Sequence, residues 1–380
     1  MADDTVHKGL EGVTVAETRL STIDGQNGNL VIGGYPVEEL APNASYEETL
    51  YLLYNDELPT ASELDSFRDD LASRRTIREE TLAVLEVAAD QAVPAMDALR
   101  MGTAAASLSR GADETEDPEL DSRLVVAQMP TIAAAYWRLR NGEEPVEPNE
   151  DLGHAANFLY MLTGSEPSDD EVRGLETYLN AVIDHGLNAS TFTSRVIVST
   201  ESDVVSAVTG AIGALKGPLH GGAPGPVLEM LLDIHESGDP TGYIEEILES
   251  GERLMGFGHR VYDVRDPRAA VLSDAAESFY ADSGNTDFFE SAREAEQAGV
   301  DLLEEHKPGL DLNTNVEFYT AVLLHGIGIP RELFSTIFAI SRSGGWTAHA
   351  LEQLEDNRLI RPRSKYVGET GRSWTGVDER

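Results

Sequence analysis

His220, His259 and Glu317 are the side chains of this sequence best suited to hold or move a proton, and each stands in a stretch that would shape its surroundings. His259 follows Gly256-Phe257-Gly258, where two glycines let the backbone come close to a ligand. Shortly after it, Asp266-Pro267-Arg268 fixes a turn: Pro267 locks its own φ and restrains Asp266, so the Arg268 guanidinium is presented in a defined direction. His220 lies in GPLHGGAPGP, residues 217–226, between a helix end and a helix start. Backbone hydrogen bonds can lock such an imidazole as a proton donor to an oxyanion, although the same residue also fits a surface turn. Glu317, in NTNVEFYTAV, falls in the first turn of a helix that Asn313, Thr314 or Asn315 could cap, where the helix dipole favours the carboxylate that a general base needs.

Arginine is concentrated around these groups. The 380 residues carry 68 Asp+Glu against 28 Lys+Arg, a formal charge of -40, yet Arg253, Arg260, Arg265 and Arg268 have only Asp263 and Asp266 among them. A second island, Arg358, Arg361, Arg363 and Lys365, contains no acid. In so acidic a chain such clusters are docking places for an anionic substrate, unless each arginine simply pairs with a neighbouring carboxylate. Two loop histidines, a helix-start carboxylate and several arginines suit carbon-acid chemistry. The carboxylate removes a proton next to a carbonyl, the histidines hold the enolate oxygen and polarise the electrophile, and the arginines clamp carboxylates.

Other chemistries lack their residues. With no cysteine there is no disulfide, catalytic thiol or thiolate metal site, which fits a cytoplasmic protein. His154, His325 and His349, the last on a helix face with Trp346, read as core or cap residues, and no pair has HExxH spacing, so no metal is expected. A GxGxxG after a strand, a Walker loop and a GxSxG elbow are all missing. The charge argues against nucleic acid. No apolar run of ~18 residues suggests a membrane span, and the acidic opening MADDTVHKGLEG does not read as a signal peptide. Lysine is confined to Lys8, Lys216, Lys307 and Lys365. A surface this acidic repels itself strongly in dilute buffer and little at molar salt, where the screening length is roughly 3 Å, so a salt-adapted protein is expected.

The elements that must position these groups are mostly helical. Residues 23–35 have the Gly and Asn spacing of a hairpin, and 44–59 read as a helix with Ser45 and Glu48 in a capping box. Apolar spacing of i, i+3, i+4 then predicts helices over 61–75 and 76–90, followed by AMDALRMGTAAASLSR. Residues 111–122 read as a solvated acidic loop, the next helix as interrupted at Pro130, and the one over 149–164 as ended by Gly164. Three helices follow before Gly217, with His185 at the break between the first two, a place from which a side chain can point into a cleft. Further helices are expected over 240–251, 268–282 and 286–306, and the class is mainly α, without internal repeats.

Together GPLHGGA, GFGHRVYDVRDPR, NVEFY, SRSGGWTAHALEQ and NRLIRPRSKYVG resemble the citrate synthase family, as do GLEGVTVAETRLSTIDG and SYEETLYLLYNDELPT, so the likeness runs from about residue 8 to residue 368. The resemblance implies an acyltransferase that condenses acetyl-CoA with oxaloacetate, needs no cofactor beyond its substrates, and works as a homodimer of mainly α, two-domain subunits. The large domain would comprise 1–219 and 324–380, and the smaller, mobile one 220–323. By motif, His220 would hold the enol of acetyl-CoA, His259 would polarise the ketone of oxaloacetate, and Glu317 would be the base. His185, Arg268 and Arg342 would bind the oxaloacetate carboxylates, and Arg361 would reach a carboxylate in the partner's site. Leu254, Met255, Gly256, Phe257 and Gly258 would meet the adenine of CoA through their backbone. One departure is visible: the family base is usually Asp, in NVDFY. The extra methylene of Glu317 moves the carboxylate by about 1.5 Å, a misplacement that can cost ~100-fold unless the backbone compensates. Three readings follow: an ordinary citrate synthase, a 2-methylcitrate synthase that prefers propionyl-CoA, and a weak or inactive paralogue with a CoA or dicarboxylate binding role.

Overall fold

The computed structural model describes residues 5–109, 117–221, 224–259, 261–262, 264–284, 286–310 and 312–380. Its only sheet among them is a small antiparallel one near the N-terminus, β1 (Ser21–Asp24), β2 (Asn29–Ile32) and β3 (Tyr35–Pro36), with Ser21 opposite Ile32 and Asp24 opposite Asn29. Gly25 and Gly28 lie in the turn between β1 and β2 and pack on the main chain and side chains of Val261 and Val264, so the hairpin tip buttresses the loop that carries His259.

Helices make up most of the rest. The short α1 (Val37–Leu40) leads to α2 (Tyr46–Asn55), where Ser45 and Glu48 form the expected capping box, and α3 (Ala61–Ala72) starts in the same way from Thr60 and Glu63. There follow α4 (Glu79–Asp90), α5 (Ala95–Ala105) and α6 (Pro118–Arg140). Two expectations fail at α6. Residues 118–122 are its first turn, capped by the Asp117 side chain with Pro118 at the first helical position, and not loop; residues 111–116 lie outside the described residues. The helix also runs through Pro130 without a break. A proline inside a helix costs about 3 kcal/mol, but the run from Leu124 to Tyr136 is buried throughout, and that packing outweighs the loss.

Then come α7 (His154–Thr163), ended by Gly164 in the left-handed region, α8 (Asp169–Val182), α9 (Ala189–Val198) and α10 (Val204–Leu215). The chain continues through α11 (Pro224–Ser237), α12 (Pro240–Ser250), α13 (Pro267–Ser283), α14 (Asp287–His306), α15 (Val316–Gly326) and α16 (Phe334–Glu355). One hydrophobic core, with Tyr46, Leu50, Tyr178, Phe318 and Trp346 fully buried in it, joins the two ends of the sequence. None of the described helices is long and apolar enough to cross a membrane.

The backbone of α16 lies directly against residues 183–184, and Gly345 makes that approach possible: a methyl group there would overlap the Ile183 carbonyl and meet Asp184 Oδ1 at 3.0 Å. Gly345→Ala is therefore expected to destabilise the protein by about 1–3 kcal/mol, through overpacking at a backbone that has nowhere to move. A thermal melt in high salt checks this, and an unchanged Tm would refute it.

Candidate functional site

A cavity of about 460 Å³ is lined by His185, His220, Arg253, Met255, Gly256, Gly258, His259, Arg268, Glu317 and Arg342. Six separate segments meet there. His185 lies between α8 and α9, His220 between α10 and α11, His259 in the loop before α13, Arg268 at the start of α13, Glu317 in the first turn of α15, and Arg342 in the middle of α16.

The His259 loop is fastened to the start of α15. Gly258 N–H donates to the Asn313 carbonyl (2.7 Å) and Asn315 N–H to the Gly256 carbonyl (3.0 Å), around a bridge between Phe257 and Thr314. Asn315 also caps α15, its Oδ1 accepting from Glu317 N–H at 3.0 Å, while its Nδ2 donates to the Gly258 carbonyl at 3.0 Å. Gly256 and Gly258 have φ of 82° and 78°, a conformation that glycine alone adopts freely, and Leu254 and Phe257 bury their side chains in the core. What the loop turns toward the cavity is therefore backbone together with Met255 and His259.

Hydrogen bonds settle the tautomers. His259 Nδ1 accepts from the N–H groups of Val261 (3.0 Å) and Tyr262 (3.3 Å), which leaves the ring proton on Nε2. His220 is held the other way round: its Nε2 accepts from the Ser190 N–H at 3.3 Å, which places the ring proton on Nδ1, while Ser190 Oγ, 2.8 Å from the same nitrogen, also lies 2.7 Å from Asn188 Oδ1. Ser190 is itself held by the Trp346 indole N–H at 3.0 Å. Both rings are neutral near pH 7. Burial brings the pKa of each down to about 4, helped by the charge of Arg342 at His220 and of Arg268 at His259. His185 is pushed well below its ordinary value by burial and by the same two arginines, and its Nε2 meets the Tyr262 hydroxyl at 3.0 Å.

Glu317 departs from the expectation that the helix dipole would keep it an easy carboxylate. Burial disfavours the charged form more than the dipole, Arg268 and Arg253 favour it, and the pKa rises to about 7. A base whose pKa lies near the working pH accepts a proton readily and can give it up again.

The arginines differ in what they have free. Arg268 is buried and gives Nε and Nη2 to Asp266 at 3.0 and 2.8 Å, so the paired alternative holds for part of its guanidinium while it still lines the cavity. Arg342 makes no ion pair among the described residues. Its Nε donates to the Val182 carbonyl at 2.6 Å, its guanidinium lies over the Phe338 ring, and burial lowers its pKa to about 10. A buried guanidinium with no ion-paired carboxylate is an open seat for one. Arg265 is turned away to Glu296, 3.0 Å off, and Arg260 lies outside the described residues. Arg361 is exposed on the segment after α16 and lines no part of this cavity. Among the described residues no group of three or more His, Asp or Glu side chains could hold a metal ion.

Ser190 and Tyr262 were not singled out from the sequence. Asn188 is legible as the α9 cap, but the contact of Ser190 with a histidine 30 residues later is made through space.

Neutral imidazoles that present N–H groups, a poised carboxylate and an unpaired guanidinium around one cavity of a helical fold define an enzyme for proton abstraction and addition at carbonyl carbons in anionic substrates. The citrate synthase C-terminal domain family matches residues 9–363, and the chain belongs to the citrate synthase family. It is 47% identical to a citrate synthase of Haloferax volcanii over 98% of both chains. Among solved structures it resembles citrate synthase from Pyrobaculum aerophilum (TM-score 0.87, 38% identity, covering 99% of this chain and 95% of that one). It also resembles the ternary complex of a Thermoplasma acidophilum citrate synthase with carboxymethyl coenzyme A and oxaloacetate (TM-score 0.87, 32% identity, covering 100% of both).

Proposed function

We propose that this chain condenses acetyl-CoA with oxaloacetate and water to give citrate and CoA, with the chemistry divided among Glu317, His220 and His259. The opposed tautomers carry this reading: His220 keeps Nδ1–H, and His259 keeps Nε2–H, for substrate oxygens. Ionised Glu317 takes a proton from the methyl carbon of acetyl-CoA, and the electron pair moves onto the thioester oxygen, where the Nδ1–H of His220 holds it. That carbon attacks the oxaloacetate ketone, whose oxygen is polarised by the Nε2–H of His259 and takes up that proton, and the proton held on Glu317 then replaces it, so that both groups return to their starting states. Water next cleaves the thioester, releasing CoA. Arg342, the remaining donors of Arg268, and His185 hold the carboxylates, and the backbone from Leu254 to Gly258 receives the adenine of CoA. His259→Ala is expected to lower kcat/KM by about 100-fold through lost polarisation of the ketone.

The source of each group supports a smaller, moving unit over 220–323: His220, His259, Arg268 and Glu317 belong to it, whereas His185 and Arg342 do not. The exposed Arg361 supports a homodimer in which this side chain completes the partner's site, and sedimentation is expected to give twice the chain mass. The net charge supports a salt-adapted enzyme, and the lack of cysteine fits a cytoplasmic one.

Thiol release with oxaloacetate in molar KCl tests the central reading. Acetyl-CoA is expected to turn over faster than propionyl-CoA; the reverse order makes the chain a 2-methylcitrate synthase, and no release with either leaves only a binding role.

A further inference from the structure

Behind the cavity wall formed by His185 and Arg342 lies a buried chain of polar groups to which the mechanism above gives no part. Asp184, next to His185 in sequence, has a fully buried side chain, and so has His349, two helical turns beyond Arg342 on α16. His349 Nε2 lies 3.2 and 3.3 Å from the two Asp184 carboxylate oxygens. On the other side of the ring, Arg195 Nη1 stands 3.0 Å from Nδ1. An arginine N–H can only donate, so Nδ1 is the acceptor and the ring proton sits on Nε2, facing Asp184. Arg195 is fixed in turn by Glu352 at 2.6 Å and by Gln353 at 3.1 Å. Glu352 also receives the Arg19 backbone N–H at 2.9 Å, just ahead of β1.

The carboxylate of Asp184 has a second partner. The Ser21 hydroxyl donates to its Oδ2 at 2.5 Å, and the same Ser21 oxygen accepts from Gly186 N–H at 2.8 Å. Both chain neighbours of His185 are thus tied to one serine on β1, and the imidazole between them has little freedom. Burial would push the Asp184 carboxyl up, but the contacts from His349 and Ser21 outweigh it and hold the group below the ordinary carboxylate range. That anion is also the charge that most supports the protonated form of buried Arg342.

We propose that Asp184 and His349 are a positioning pair for oxaloacetate: through Ser21 they fix the direction of His185, and by tying residue 184 to α16 they hold His185 and Arg342 at their separation across the cavity wall. The pair touches no substrate. It rests on the assignment of His185 and Arg342 to the oxaloacetate carboxylates. The expected signature is a split between the two substrates, because only one of them uses this wall.

The test compares His349→Leu, which removes both contacts, with His349→Gln, whose amide retains one acceptor for Arg195 and one donor for Asp184. In thiol-release assays of the full-length protein in molar KCl, the leucine variant is expected to raise the KM for oxaloacetate roughly 10- to 100-fold, the worth of one or two hydrogen bonds to a charged group. The KM for acetyl-CoA should move by less than about 3-fold, and the glutamine variant should recover most of the loss. If the leucine variant does not fold, Ser21→Ala decides, with the same split expected at a smaller size. Equal shifts in both KM values, a glutamine variant no better than leucine, or an unchanged KM for oxaloacetate in Ser21→Ala overturns the pairing role. Wild-type protein that releases no thiol fails earlier, and refutes the condensation itself.

Discussion

Glu317→Gln is expected to lower kcat by about 1000-fold, while the affinity for oxaloacetate, measured by calorimetry, stays within about 2-fold of wild type. The amide keeps the shape of the side chain and the cap that Asn315 supplies through the backbone, and loses only the ability to take a proton. The same substitution is expected to raise Tm. Burial lifts the folded-state pKa of Glu317 to about 7, above the ordinary glutamate value of about 4.3, so its ionisation opposes folding. The proton favours the folded state fully below the unfolded pKa, and this contribution is lost as pH rises through about 7; above that, a neutral amide relieves a cost that the wild type bears. In the wild type, kcat/KM should climb with pH through the same region, since the base works only when deprotonated. Near-normal turnover in the variant would remove Glu317 from the mechanism. A lower Tm would identify it as a structural residue.

Removing salt is expected to have an effect of similar size on the whole molecule. With a formal charge of -40, the protein should lose activity and tertiary circular dichroism on dialysis into roughly 10 mM KCl, where the screening length is about 30 Å, and should gain Tm steadily up to molar KCl. The outer side of α14 shows why: Glu290, Glu294, Asp301, Glu304 and Glu305 are all exposed, and the first two are spaced four residues apart, where like charges repel along a helix. Surface ion pairs such as Arg293 with Glu277 are too few and too hydrated to offset this. A Tm independent of salt down to millimolar concentration would contradict the expectation.

What the sequence displayed was local. The box of Ser45 and Glu48, the stop at Gly164 and the cap on Glu317 each involve residues within a few positions of one another, and all three stand in the fold. Burial is a property of the assembled core, and it accounts for two of the three failures, the helix start at residues 118–122 being a matter of its Asp117 cap. Burial allows α6 to continue through Pro130, and it overturns the expected ease of ionisation at Glu317. Nine of the cavity residues, His185, His220, Met255, Gly256, Gly258, His259, Arg268, Glu317 and Arg342, were legible because each sits in a distinctive motif, Arg342 within a helix and the others in loops or at a helix start. Their supports were not. Ser190 reaches His220 across 30 residues and Asp184 reaches His349 across 165, and nothing in the spacing of the letters signals either encounter.

The bridge between Phe257 and Thr314, with the two backbone hydrogen bonds beside it, has a mechanical consequence. With the proposed roles, the proton acceptor and the ketone activator ride on one rigid strap, so a movement that admits or expels substrate withdraws or delivers them in step. Carbanion formation is then synchronised with the readiness of its electrophile, and an idle enzyme holding only the thioester has little opportunity to squander it.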